Sequence, residues 1–209
     1  MSKISRRSFV AACAAGPVVL GPFAAFAQAT VNTQDLHAPG QLGEKSLGPA
    51  DAPVTVVEYA SMSCSHCASF DVTTFDQFRE KYIDTGQVRY IFREFPLNAP
   101  AYAAAMVARC APADRFFDVV HAYFRSQGEW LSSSNLKGAM LETVQPFGFT
   151  EQSFDACISN QELFAGLEAV KARGVSFGVQ ATPTFFINGK KYEGALSIAQ
   201  LDEAIQPLL

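Results

Sequence analysis

"APVTVVEYASMSCSHCASFD", residues 52–71, decides the fold. Its first half is β-branched and apolar, the pattern of a central strand buried on both faces. After Cys64 the apolar positions change period. Cys67, Phe70, Thr74/Phe75, Phe78 and Tyr82 fall on one helical face, and Gly86 stops the run. Two cysteines, Cys64 and Cys67, therefore stand at a strand-to-helix junction. The next stretch, "QVRYIFREFPL" (87–97), reads as a second strand ended by Pro96. Strand, helix, strand makes one right-handed βαβ crossover.

Beyond this unit the helical period dominates from Ala99 to about Val179, as four or five short helices. Thr150 and Asn160 suit N-cap positions. Ser153 stands where a capping box prefers Glu, so that box is expected to be incomplete. Strands then return. "PTFFINGKKYEG" (183–194) reads as a hairpin turning on Asn188-Gly189, a type I′ pair. Ser197 caps a final helix whose buried face carries Leu201, Ile205 and Leu208. Residues 28–50, polar with Gly and Pro, read as an arm or loop. The fold class is α/β: one sheet, with an all-helical subdomain inserted between its strands.

The first residues carry a different signal. Lys3, Arg6 and Arg7 precede a charge-free apolar stretch from Phe9 to Phe26, which ends in the small-x-small sequence Ala25-Phe26-Ala27. Gly16, Pro17, Gly21 and Pro22 interrupt it, against a membrane anchor. The expectation is an export signal over residues 1–27, cleaved after Ala27. "SRRSFV" suits either the twin-arginine route or general secretion. Val10 to Cys13 has a lipobox look, but the apolar core runs well past Cys13. The remaining chain is expected to work outside the cytoplasm, where disulfides persist.

About half of the residues are apolar and the net charge is −4. The charges are mixed, with no basic block, which argues against a nucleic-acid partner. No phosphate-binding glycine loop or paired-carboxylate site occurs, so no metal, nucleotide or organic cofactor is implied. Removing the signal leaves four cysteines, which allow three pairings. A Cys-x-x-Cys pair closes locally, leaving Cys110 with Cys157, either bonded or as free buried thiols.

Structural zinc needs a second closely spaced ligand pair, which Cys110, Cys157, His37, His66 and His121 do not form. An inert Cys64–Cys67 staple is the plainer reading, but position argues against it. Cys64 falls at the helix start, where unpaired amides and the helix dipole favour thiolate. Cys67 lies a turn deeper on the apolar face, shielded and less acidic. One exposed acidic thiol with one buried partner is what thiol–disulfide exchange requires. The ring or N–H of His66 is expected near the Cys64 sulfur, further favouring thiolate.

"CSHC" behind "VTVVEYAS", together with "FREFPL", the helical insertion and "TPTFFINGKKYEGALS", resembles the periplasmic DsbA-type thiol:disulfide oxidoreductases of the thioredoxin fold, notably α-proteobacterial members. The likeness runs from about Gly48 to Leu209. It implies a thioredoxin-like domain over 51–97 and 180–209 and an inserted helical subdomain over 98–179. It also implies that Cys64 is the nucleophile, Cys67 the resolving cysteine and Pro183 a cis-proline beside them. Thr182 then presents backbone to an extended substrate strand. Glu58 matches a buried acid that relays a proton at Cys67, with Arg93 or Lys190 as its expected partner. Cys110 and Cys157 resemble a second, structural disulfide; such a bond stabilises by roughly 4 kcal/mol on chain-entropy arguments.

The implied function is a dithiol oxidase acting on unfolded exported proteins with free thiols. A membrane quinone-linked reoxidase of the DsbB type would recharge it, and the chain would work as a monomer. Two departures bear on this. Ser65-His66 replaces the family's usual Pro-His, and Thr182 before the cis-proline also occurs in isomerases and reductases. A disulfide isomerase or reductase is therefore the first alternative. A Cu(I)-binding or chaperone module using Cys64, Cys67 and Met62 is the second.

Overall fold

The computed structural model describes residues 31–209. The expected export signal, its cleavage site after Ala27 and Cys13 lie outside the described residues. A five-stranded sheet organises the chain: β1 (Lys45–Leu47), β2 (Val54–Ala60), β3 (Val88–Glu94), β4 (Thr184–Ile187) and β5 (Lys190–Glu193). Their spatial order is β1-β3-β2-β4-β5, with β2 and β3 parallel and every other pair antiparallel. The β4–β5 turn has Asn188 at φ 44° and Gly189 at φ 85°, the two positive values that a two-residue hairpin needs.

Residues 31–50, the described part of this segment, correct the expectation of a plain arm over 28–50. They hold α1 (Thr33–His37), capped by Asn32, and the edge strand β1. The cause is tertiary: Lys45, Ser46 and Leu47 carry little strand signal, but the open edge of β3 pairs with them. Arg109 fixes the segment, donating to the carbonyls of Leu42 and Gly43 at 2.8 and 3.1 Å while gripping buried Glu94.

Alternation along β2 sends its side chains to two cores. Val56 and Ala60 join the larger cluster with Cys67, Phe70, Phe75 and Tyr90. Val57 and Tyr59 join the smaller one with Leu36, Phe95 and Phe186. The helix after β2 begins as α2 (Ser65–Phe70). It continues through a π-turn (Asp71–Phe75), a short α segment (Asp76–Phe78) and a second π-turn (Arg79–Ile83).

Six helices follow between β3 and β4, against the four or five expected. They are α3 (Ala99–Cys110), α4 (Phe116–Arg125), α5 (Gln127–Ser132), α6 (Leu136–Val144), α7 (Glu151–Ile158) and α8 (Gln161–Ser176). The additional break falls at Ser126, which leaves the helical region between α4 and α5 while its hydroxyl donates to the Ala122 carbonyl. The Thr150 box is complete. The Ser153 hydroxyl accepts from the Thr150 N–H at 2.9 Å, so a short polar side chain does the work expected of Glu. At Gly174 of α8 an added Cβ would meet the Tyr59 ring at 2.8 Å, so the missing side chain lets this helix lie close to the sheet. The chain closes with α9 (Ile198–Ile205), boxed by Ser197 and Gln200. No described helix is long and apolar enough to cross a membrane.

Candidate active site

The two cysteines sit where β2 ends. Ser61 begins the turn, its carbonyl accepting from the Cys64 N–H at 3.0 Å, and Cys64 is the N-cap of α2. Antiparallel β4 brings Thr184 opposite Tyr59, so the preceding Thr182–Pro183 peptide, which is cis, lies beside the cysteines. The Cys64 thiol donates to the Thr182 carbonyl at 3.1 Å. Pro183 and Thr182, placed in this region by resemblance, are brought to Cys64 by strand register.

The first turn separates the two sulfurs. Cys64 is half-buried, whereas Cys67 is fully buried in the larger core. The Cys64 thiol is held down at about 5. The largest cause is a hydrogen bond from the Cys67 thiol to the Cys64 thiolate; partial burial opposes it. The backbone N–H groups of Cys67 and His66 add to the stabilisation. The helix-entrance amides thus act together with the partner thiol. His66 acts through its backbone N–H, and its side chain is exposed. Cys67 is pushed well above the ordinary thiol range by burial, by its bond to Cys64 and by the nearby Glu58 charge.

Glu58 lies beneath the pair, only 2% exposed. Burial raises its carboxyl to about 8, although the Tyr90 hydroxyl donates to it at 2.6 Å and favours the charged form. Tyr90 replaces the expected partners, for geometric reasons. Arg93 registers with Tyr59, on the opposite face of the sheet, where it meets Glu44. Lys190 is exposed on β5, over the Tyr192 ring.

Gln127 was not legible as a site residue. From α5 its amide donates to the carbonyls of Met62 and Cys64 at 2.8 and 3.0 Å, tying the helical block to the cysteine turn. In the sequence it falls at the end of an expected helix, with no motif to mark it. A disulfide joins Cys110 of α3 to Cys157 of α7, with Cα atoms 6.2 Å apart. Among the described residues, no group of three or more His, Cys, Asp or Glu side chains is arranged to hold a metal ion.

The family model described as Thioredoxin matches residues 41–207. A Rickettsia bellii protein provisionally named protein-disulfide oxidoreductase is 32% identical over 76% of this chain and 62% of its own length. A similarly named Rickettsia conorii protein is 31% identical over 78% of this chain and 59% of its own. The chain thus spans about 60% of the length of these relatives. The crystal structure of Wolbachia pipientis alpha-DsbA1 superposes with a TM-score of 0.77 at 30% identity, covering 85% of this chain and 96% of that one.

Proposed function

The chain belongs to the thioredoxin family, on its DsbA-type branch, and from that premise we propose that it is a thiol:disulfide oxidoreductase acting as a dithiol oxidase. One observation carries this reading: Cys64, half-buried at the N-cap of α2 beside the cis Thr182–Pro183 peptide, stands one turn from fully buried Cys67, and the two environments drive their acidities apart. In the oxidised protein a substrate thiolate attacks the Cys64 sulfur. The Cys64–Cys67 bond breaks, its electron pair leaves on Cys67, and Glu58 supplies that sulfur with a proton. A second substrate thiolate attacks the substrate sulfur of the mixed disulfide. The substrate leaves oxidised, and Cys64 leaves as a stable thiolate. Stabilising the reduced form makes the protein disulfide a stronger oxidant.

The remaining assignments belong to the same proposal. Thr182 and Pro183 line substrate backbone beside Cys64. Residues 51–97 and 180–209, extended by β1, form the thioredoxin-like unit, and 98–179 the inserted helical one. The Cys110–Cys157 bond is structural. The protein is exported to the periplasm, works there as a monomer on unfolded exported proteins with free thiols, and is recharged by a membrane quinone-linked reoxidase of the DsbB type.

A redox titration against glutathione, paired with oxidation of a reduced unfolded protein, tests the reading. The expected result is a pair more oxidising than glutathione that transfers one disulfide per oxidised molecule. A strongly reducing potential would overturn the oxidase assignment in favour of a reductase.

A further inference from the structure

Below Cys67 a small cavity of about 10 Å³, enough for about one water molecule, is lined by Glu58, Cys67, Tyr90, Asp71 and His121 among others. Asp71 is buried, and it opens the π-turn that follows α2, a helix distortion frequent at functional sites. One of its oxygens, Oδ2, bonds His121 Nδ1; the other, Oδ1, is buried with no protein partner. A buried carboxylate oxygen left unpaired is costly unless it serves something. His121, on α4, also lines an outer groove with Asp76, Arg79, Asp118 and Arg125, and its side chain is 15% exposed. Its ring is held against Phe75, with centroids 4.7 Å apart. One imidazole therefore borders both the inner cavity and the outer groove.

We propose that Asp71 and His121 form the outer half of a proton path, joining Cys67 and Glu58 to solvent through a water held in the inner cavity. The inference rests on the exchange chemistry proposed above. When the Cys64–Cys67 bond is cleaved, the electron pair arrives on Cys67 and Glu58 gives it a proton, becoming a carboxylate. His121 takes a proton from the groove and passes its Nδ1 proton to Asp71. Asp71 turns that proton toward the cavity, where the water hands it to Glu58. Reoxidation runs the path outward: Glu58 first gives its proton through the water and Asp71 to His121, which releases one to the groove, and the Glu58 carboxylate then takes the proton of Cys67 as that sulfur attacks. The charge on Asp71 also raises Glu58, behind the larger effect of burial, so the two carboxyls sense each other.

Steady-state turnover with a peptide dithiol and a small disulfide as reoxidant tests this, because Glu58 must lose and regain a proton in every cycle. His121→Gln keeps a hydrogen-bond donor toward Asp71 but cannot relay. It should lower turnover at pH 7 by about tenfold or more, with a larger solvent deuterium isotope effect. Single-turnover bond cleavage, the redox potential and the Cys64 titration should stay unchanged. His121→Ala should fall likewise and recover with added imidazole. Unchanged turnover, or a loss that imidazole does not restore and that comes with a shifted potential, would overturn the path. Should both variants fail to fold, the unaltered protein decides. Its His121 ring resonances must titrate differently in the oxidised and reduced forms, and identical titrations would overturn the proposal. If the unaltered protein oxidises no peptide, the proposed function fails instead, and exchange of the same pair with glutathione still reads out the relay.

Discussion

The rim and the floor of the cysteine turn are one helical turn apart and behave oppositely. At the rim, Cys64 keeps access to water and gathers donors: the Cys67 thiol and two backbone amides. At the floor, Cys67 and Glu58 are buried, and burial holds both in their protonated forms. The same sheet-to-helix junction therefore stores negative charge on one sulfur and a proton on the other. Donors stabilise an anion only where partial exposure keeps desolvation from winning; the same anion a turn deeper is penalised. An exchange catalyst needs that asymmetry, since a symmetric pair would have no preferred point of attack.

The largest effect expected is at the rim. Cys64→Ser should abolish exchange with a thiol peptide, and residual exchange through Cys67 would break the contrast. Next, Cys67→Ala removes the leading donor to Cys64. Its thiolate absorbance titration should move up from about 5 by more than a unit, and mixed disulfides with substrate should accumulate on gels. An unmoved midpoint would return the leading role to the helix amides.

Glu58→Gln sharpens the contrast through pH. Glu58 is raised from 4.5 to about 8 in the folded state. Its contribution is therefore fully present below 4.5 and lost as pH rises through about 8. Cys64 has the opposite sign: its contribution to the reduced protein is full above 9 and lost as pH falls through about 5. Denaturant melts of the reduced protein should show the stability of Glu58→Gln relative to the unaltered chain rising between about pH 4.5 and 8 and levelling off above that.

Two smaller effects test regions outside the contrast. The Cys110→Ala/Cys157→Ala pair should lower stability by about 2–4 kcal/mol in denaturant melts. The Cys64 titration should not move, because this bond lies away from the rim. Gln127→Ala removes two hydrogen bonds to the turn and should cost about 1–2 kcal/mol by the same measurement, with a modest fall in exchange rate.

Legibility followed the range of the physics involved. The β2 and α2 patterns were readable because burial periodicity is local, and so were the Asn188-Gly189 turn and the Ser197 cap. β1 was not, because Lys45–Leu47 becomes a strand only by meeting the edge of β3. Glu58 was legible as a residue, but its partner was not. Alternation already puts Arg93 on the other face once the β2–β3 register is known, and Tyr90 is then the group left to donate. Asp71, His121 and Gln127 carry no motif, since each gains its place from a different helix packed near the turn.

That an apolar strand runs into a helix whose entrance carries two cysteines is written in the order of the residues, because both patterns are periodic and short in range. The groups around those cysteines come from packing: Thr182 from β4's approach, Gln127 from α5, and Glu58 with Tyr90 from the parallel β2–β3 register. The physical reason is that acidity depends on desolvation and on donors within a few ångströms, and those neighbours come from residues far apart in the chain.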